Sequence, residues 1–307
     1  MLAAIGIAYF IFERRRTIPG IIAVVLIIAL CFALPGYSFA FWENDLALED
    51  ESIYNYLQVK DDEHQTLLST NVLFGVQSVQ IKDSELTGMY YDYALAAPCM
   101  AGMGAEIDSK IADIAYDYFG LPDTVEVAVA DGRAYLTASD EKFDVIMVDA
   151  YQDITIPFQL SSREFFTEVS KHLKPEGVMV VNLNMTSREN GSINEYLCDT
   201  MASVFPHVYL ADVAGSTNTE VFCTNSDTLP ERFAKSRAAL QNPRYSAMMD
   251  KVSELLTEYE GGEHILTDDK APVEVLGMRV LDELIADELD YYREYFRSGN
   301  IAGLLGA

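Results

Sequence analysis

The sequence predicts a protein of the α/β class, in which a parallel β-sheet is covered by helices on both faces. From Glu106 onwards, segments with strand character alternate with segments of helical periodicity, an order that is typical of βαβ units. The strand segments are continuous apolar runs, for example Val178 to Leu183, as expected for strands that are buried on both faces. The chain has 307 residues, half of them hydrophobic, so it can form a large core.

The first part of the chain, residues 1–42, has the composition of a membrane anchor. The run Ile18 to Leu34 is almost entirely apolar, and its length approaches the roughly 20 residues that cross a bilayer. Met1 to Phe12 is a second apolar run of about half a span. Two alternatives stay open, a cleaved signal peptide whose cleavage site resembles Ser38 to Ala40, and a buried core helix.

Charge predicts the orientation of this anchor. Arg14, Arg15 and Arg16 lie between the two apolar runs, and positive charge is retained on the cytoplasmic side of a membrane. The sequence therefore predicts a membrane protein whose domain at residues 43–307 lies outside the cytoplasm.

The segment at residues 50–98 predicts a small antiparallel β-domain. Ser52 to Val59 alternates apolar and polar residues, and Val72 to Ile81 is rich in β-branched and aromatic residues, both patterns of strands. Lys60 to His64 is polar and predicts the turn between them.

The remainder, residues 99–307, contains the predicted α/β elements. The predicted strands after Glu106 are Val125–Val129, Phe143–Val148, Val178–Leu183, His207–Ala211 and Glu220–Thr224. The predicted helices are Ile107–Tyr118, Phe165–Leu173 and Ile193–Val204, and glycine or proline residues end the first two of them. The segment from Pro230 to Phe296 is expected to be mostly helical.

Composition excludes several classes of function. The formal net charge of −27 argues against nucleic acid as a partner, because phosphates would be repelled, and favours a cationic ligand. An acidic surface that only keeps the protein soluble explains the same charge. The four cysteines and four histidines are scattered, so we expect neither a disulfide framework nor a metal site.

Acidic residues follow three of the predicted parallel strands. Glu106 and Asp108 lie at the end of the first, Asp131 follows the second, and Asp149 follows the third, with Asp153 four residues later. Ligands of open α/β sheets bind beyond the carboxyl ends of the strands. A single aspartate there is often only a helix cap, but three in register predict a binding site.

These segments resemble the polyamine aminopropyltransferase family, spermidine synthase and its relatives, which has the Rossmann-like class I methyltransferase fold. The resemblance covers about residues 50–280 and is carried by the following runs: Gly75–Ser78, Tyr90–Tyr93, Glu106–Asp108, Ala130–Leu136, Phe143–Tyr151, Ile156–Phe158, Arg163–Phe166 and Ala271–Glu274. Its membrane-linked branch is the most similar. The resemblance implies a transferase that uses decarboxylated S-adenosylmethionine as co-substrate, has no permanently bound cofactor and acts on a polyamine such as putrescine. A homodimer is a further expectation.

The resemblance also implies roles for individual residues. Glu106 would hold the ribose of the donor, Asp131 its adenine amino group, and Gln77 would contact the same nucleotide from the opposite side. Asp149 would accept the proton of the attacking amine, and Asp92 would bind the far amine of a diamine. The remaining predicted contacts are Gly102, Gly104, Asp108 and Gly132 to the donor, and Tyr151 and Asp153 to the acceptor.

The sequence departs from the family's pattern in three places. The second carboxylate after Asp149 is displaced by one residue, to Asp153, and apolar residues around Leu73 replace an aspartate that usually precedes the glutamine. The third departure concerns Gly102 and Gly104, which adjoin Glu106 almost directly. The family has a central strand, a glycine-rich loop and a helix before this glutamate, so roughly twenty residues or more of a crossover unit are expected to be missing.

Three functions are consistent with the sequence. The first is an aminopropyltransferase, impaired by the loss of the glycine loop. The second is a catalytically inactive, membrane-anchored module that binds polyamines through an acidic pocket. The third is a methyltransferase on the same fold.

Overall fold

The computed structural model describes residues 46–70, 76–84, 86–97, 103–106, 117–119, 126–149, 157–184 and 191–280, and the single residues 22, 25, 26, 29 and 293. Within this part of the chain, the strands form sheets of four, two and five strands.

The four-stranded sheet is antiparallel and follows chain order, as predicted for the N-terminal region. It consists of β1 (Leu46–Glu51), β2 (Tyr56–Asp61), β3 (Gln65–Thr70) and β4 (Val76–Ile81). Its small core contains Leu57, Val59 and Leu68. The predicted strand Ser52–Val59 is wrong in its first half. The Ser52 hydroxyl accepts hydrogen bonds from the amides of Tyr54 and Asn55, and this contact closes a turn between β1 and β2.

The two-stranded sheet is parallel. It pairs β5 (Met103–Glu106) with β6 (Glu126–Val129). The predicted helix Ile107–Tyr118 between them lies outside the described residues except for its end, where residues 117–119 are helical. No strand of the described segments pairs with both this sheet and the larger one.

The five-stranded sheet contains the four strands predicted after residue 140 and one short strand, the last, in a segment that was expected to be helical. They are β7 (Phe143–Val148), β8 (Leu173–Leu183), β9 (His207–Asp212), β10 (Thr219–Thr224) and β11 (Thr257–Glu258), in the spatial order β11-β9-β10-β8-β7. Within this sheet β7 and β8 are the one pair of parallel neighbours, because β10 runs antiparallel to both β8 and β9, and β11 runs antiparallel to β9. The expectation of a fully parallel sheet is therefore wrong. A short turn through Gly215, with a φ of 75°, joins β9 directly to β10, and such tight connections join antiparallel strands.

Helices cover both faces of this sheet, as predicted. They are α1 (Tyr91–Ala94), α2 (Gly132–Ala138), α3 (Arg163–His172), α4 (Ile193–Ala202), α5 (Leu229–Ala239) and α6 (Pro243–Leu255). Residues of α3 and α4, such as Phe166 and Leu197, pack on one face around Val181. Residues of α1 and α6 pack on the other face around Val180 and Phe222.

The predicted membrane localisation is contradicted. Among the described residues, no helix combines the length and the apolar character that crossing a bilayer requires. Most of the predicted anchor, residues 1–42, lies outside the described residues.

Candidate active site

Asp149 lies where β7 ends and is held by two side chains from other elements. Its Oδ2 accepts a hydrogen bond from the Tyr90 hydroxyl at 3.2 Å, and its Oδ1 accepts one from Asn182 Nδ2 at 3.4 Å. The register of β7 and β8 pairs Val148 with Val181, so the next residues along the two strands, Asp149 and Asn182, are neighbours. As a residue Asp149 is exposed, while its carboxylate is partly enclosed by its neighbours, among them Tyr90 and Asn182.

The surroundings of Asp149 favour proton uptake. Loss of water around the carboxylate raises its pKa, and the hydrogen bonds from Asn182 and Tyr90 offset only part of this effect. A carboxylate with a raised pKa is a stronger base. Burial also raises the pKa of Tyr90, with a further contribution from the charge of Asp149, so the Tyr90 hydroxyl stays protonated and donates.

A second asparagine orients the first. Asn218 Nδ2 donates to Asn182 Oδ1 at 2.8 Å, which leaves the Asn182 amino group directed at Asp149. Asn182 is almost fully buried, so this orientation is fixed by the protein and not by solvent. Neither asparagine was predicted from the sequence. The one available signal was a polar residue at the end of the apolar run of β8.

Asp92 is buried and fully engaged with the backbone turn that precedes α1. Its carboxylate accepts hydrogen bonds from the Thr87 amide at 3.1 Å, the Thr87 hydroxyl at 2.9 Å and the Gly88 amide at 2.7 Å. Gly88 has a φ of 81°, a conformation that favours glycine. These three hydrogen bonds within its own turn explain why Asp92 is buried. The predicted contact of Asp92 with a diamine stays a prediction.

Asp131 caps the start of α2. Its Oδ1 accepts a hydrogen bond from the Ala134 amide at 2.9 Å, and Gly132 is the first residue of the helix. Arg133 extends from the same turn to Asp268, with two nitrogen–oxygen distances of 2.9 and 2.7 Å. Asp131 thus occupies the predicted strand end.

The other predicted donor contacts are spread over several elements. Gly104 lies inside β5, paired with Val127, and Glu106 ends that strand, paired with Val129. Gly104 is therefore part of a strand and not of a loop. Gln77 is half-buried on β4. Gly102, Asp108, Tyr151 and Asp153 lie outside the described residues.

Another acidic cluster, far along the chain, could in principle hold a metal ion. The ligand atoms of Glu195, Asp199 and His264 lie within 4.8 Å of one another. Asp199, however, already accepts four hydrogen bonds, and their donors are the Tyr259 hydroxyl, the amides of Gly262 and His264, and the His264 ring. Its lone pairs are taken by this segment, so we interpret the cluster as structural.

Comparison with known proteins shows the relationships of the chain. A family model described as the spermine/spermidine synthase domain matches residues 105–224. A protein of Bifidobacterium longum named probable polyamine aminopropyl transferase is 46% identical over 349 residues, covering 99% of this chain and 78% of that protein. The polyamine aminopropyltransferase of Vibrio vulnificus is 24% identical, covering 82% of this chain and 98% of that protein.

Solved structures show the same fold. A probable spermidine synthase from Corynebacterium glutamicum superposes with a TM-score of 0.52 at 16% identity, covering 72% of this chain and 99% of that one. A spermidine synthase in complex with the transition-state analogue AdoDATO superposes with a TM-score of 0.53 at 15% identity, covering 69% of this chain and 85% of that one.

Proposed function

The chain belongs to the polyamine aminopropyltransferase family, and on that premise we propose that it transfers an aminopropyl group from decarboxylated S-adenosylmethionine to a polyamine such as putrescine. The observation that carries this proposal is the setting of Asp149. It is a carboxylate of raised pKa at the end of a parallel strand, held by Tyr90 and Asn182.

The reaction requires a neutral amine. The amine nitrogen attacks the propyl carbon attached to the sulfonium, a carbon–nitrogen bond forms as the carbon–sulfur bond breaks, and methylthioadenosine leaves. Asp149 accepts the proton that the amine loses. The carboxylate also attracts the cationic acceptor before the reaction, so it serves both binding and general-base catalysis.

We assign the donor to residues of three elements, β4, β5 and the start of α2. Glu106 would bind the ribose hydroxyls, Asp131 the adenine amino group and Gln77 the nucleotide from the opposite side. The glycines at 102, 104 and 132 would let the backbone approach the donor, with Asp108 beside the ribose. Support comes from the family resemblance and from the strand-end positions of Glu106 and Asp131.

We assign the acceptor to the neighbourhood of Asp149. Tyr151 and Asp153 follow it in the chain and are proposed as contacts to the amine, as is Asp92. A homodimer stays a prediction.

We further propose that the chain lacks the family's central strand and most of its glycine-rich loop. Two observations support this. Within the described segments, β5–β6 and β7 belong to separate sheets, and one more strand between them would unite them. The alignment with the Bifidobacterium longum protein extends over 349 residues, whereas the chain has 307, so that relative has residues opposite gaps in this chain.

The separated sheets also favour a second candidate function, a catalytically inactive polyamine-binding module. Without the loop, the donor would lose the surface against which its methionine-derived tail packs. The acceptor side, with Asp149, Tyr90 and Asn182, does not depend on that loop for its contacts.

Calorimetry and a product assay on the full chain distinguish the two functions. We expect an active enzyme to bind methylthioadenosine at micromolar concentration and to form spermidine and methylthioadenosine from decarboxylated S-adenosylmethionine and putrescine. Polyamine binding without nucleotide binding or turnover would identify the inactive module. Binding of neither ligand would overturn both candidates.

A further inference from the structure

Glu220 is a buried carboxylate that the proposed reaction leaves unassigned. It lies in β10 with none of its surface exposed, and neither carboxylate oxygen has a hydrogen-bond partner within the part of the chain that the structure describes. A buried polar group without a partner is costly, and native proteins rarely keep one without a reason. The position therefore requires an explanation beyond packing.

The sheet places Glu220 beside the candidate active site. Asp149 neighbours Asn182 across β7 and β8, and Asn182 is paired in register with Glu220 across β8 and β10. The three side chains thus form one row across adjacent strands. Strands in a sheet lie about 4.8 Å apart, so the backbones of Asp149 and Glu220 are separated by about 10 Å.

Both ends of the row are acidic, and neither has a cationic side chain as its partner within the described residues. No lysine, arginine or histidine of the described residues forms an ion pair with Asp149 or Glu220. The negative charge of Asp149 also acts on Glu220 and adds to the effect of burial in raising the pKa of Glu220 to about 8. Once Glu220 has released its proton, two carboxylates in one site attract a dication more strongly than a monocation.

The two ends differ in access. Asp149 is open to solvent, whereas Glu220 is closed off. Glu220 lies on the same face of β10 as Phe222, which packs in a cluster with Tyr93 and Val180. The far end of an elongated ligand that enters at Asp149 would therefore lie in mainly apolar surroundings. The acidic group in these surroundings is Glu220.

We propose that Glu220 is a specificity-determining residue that binds the second ammonium group of a diamine or polyamine whose first amine lies at Asp149. This inference rests on the proposed function. Asp92 is the competing residue for the second ammonium, but its carboxylate already accepts three hydrogen bonds from its own turn. An ammonium at Glu220 would instead provide the partners that both of its oxygens lack, and the ion pair would offset the cost of burying each charge.

The test compares putrescine with butylamine, a monoamine that has the same carbon chain, by calorimetry on the full chain. For the wild type we expect putrescine to bind more tightly. In Glu220→Gln this preference should fall by about 10- to 100-fold, the range for loss of a charged hydrogen bond. Methylthioadenosine binding and the binding of butylamine should change less than about twofold.

Two further variants complete the comparison. Glu220→Asp keeps the charge and should restore part of the preference for putrescine. Glu254→Gln removes an exposed carboxylate from α6 and should leave all three affinities unchanged. Should Glu220→Gln fail to fold, calorimetry of the wild type in two buffers of different ionisation enthalpy still tests the proposal. Putrescine would then release more protons at pH 7 than butylamine, because its second ammonium displaces the proton of Glu220.

The outcomes are distinguishable. An unchanged preference for putrescine in Glu220→Gln, or equal proton release by the two amines, would overturn the assignment of Glu220 while leaving the proposed function intact. A wild type that binds no amine at all would overturn the proposed function and this inference with it.

Discussion

At the scale of single residues, the candidate site depends on contacts between distant parts of the chain. Tyr90 and Asp149 are 59 residues apart, and Asp149 and Asn182 are 33 apart. The sequence indicated Asp149, because an aspartate directly after a buried apolar strand is a local pattern. The hydrogen bonds that fix the carboxylate come from residues whose proximity depends on strand pairing.

Replacing Asp149 tests its role as a base. If the chain transfers aminopropyl groups, Asp149→Asn should lower kcat by about 10²- to 10⁴-fold, because an amide cannot accept the proton of the amine. Stability should change little, since the variant keeps the same shape at a solvent-exposed position. The measurements are steady-state formation of methylthioadenosine and the thermal unfolding midpoint. Full turnover by this variant would remove Asp149 from the mechanism.

Glu220 should make stability depend on pH. Its pKa is raised from 4.5 to about 8, first by burial and then by Asp149, so the folded protein holds this proton more tightly than the unfolded chain does. The resulting stabilisation is complete below pH 4.5 and is lost as the pH rises through about 8. Each unit of pKa difference corresponds to about 1.4 kcal/mol.

Urea unfolding at pH 5 and pH 8.5, without ligand, measures this effect. We expect the free energy of unfolding of the wild type to fall relative to that of Glu220→Gln between the two pH values, because the glutamine cannot ionise. Glu254→Gln serves as the control for an exposed carboxylate and should show no such change. Parallel pH dependence of wild type and Glu220→Gln would mean that Glu220 ionises in the folded protein as it does in the unfolded chain.

At the scale of elements, one buried carboxylate anchors the segment that returns to the sheet after α6. Asp199 of α4 is 1% exposed and accepts hydrogen bonds from three residues of the segment at 259–264. Burial acts to raise the pKa of Asp199, but these hydrogen bonds outweigh it and the pKa is lowered. Asp199 and residues 259–264 are far apart in the chain, so the hydrophobic periodicity of the sequence could not predict their contact.

Replacing Asp199 should loosen this segment. We expect Asp199→Asn to lower the free energy of unfolding at pH 7 by about 2–4 kcal/mol, because several buried donors lose a charged acceptor. Because the pKa of Asp199 is lowered in the folded protein, the difference in free energy of unfolding between the wild type and Asp199→Asn is present above pH 3.8. This difference shrinks as the pH falls below 3.8. Chemical unfolding at pH 7 and pH 3 measures both effects.

Asp144 offers a matched control for this experiment. Its carboxylate is half-exposed and pairs with Lys174 at 2.7 Å on the surface. Asp144→Asn should change the free energy of unfolding by less than about 1 kcal/mol, as is usual for surface ion pairs. Equal effects of the two substitutions would show that the hydrogen bonds of Asp199 do not stabilise the segment.

At the scale of the whole molecule, the notable feature is that the α/β region forms two separate sheets in the segments that the structure describes. β5 and β6 pair with each other, and β7 pairs with β8. Unpaired backbone groups in a buried sheet cost about 1–3 kcal/mol each, and the stability of a domain is only about 5–15 kcal/mol. Loss of a central strand would therefore affect stability as well as donor binding.

A chimaera tests this proposal. The residues that the Bifidobacterium longum relative has opposite gaps in this chain would be inserted at the corresponding positions, with glycine–serine linkers of equal length as the control. We expect the natural residues to raise the affinity for methylthioadenosine by at least about tenfold and to raise the thermal unfolding midpoint, since they would restore paired strand edges and a donor-binding loop. The linkers should do neither. Equal affinity for methylthioadenosine in the chimaera and in the unaltered chain would contradict the proposal.

The sequence by itself determined the α/β class, the antiparallel N-terminal sheet, the family and the strand-end aspartate at 149. Each of these follows from periodicity, turn residues or motif order, which depend on residues that are near one another in the chain. Only the tertiary structure decided that β10 runs antiparallel to its neighbours, that Tyr90 and Asn182 hold Asp149, and that Glu220 is buried without a partner. The physical reason is that strand order and register bring together residues that are distant in the chain, and burial of a side chain depends on which of them pack against it.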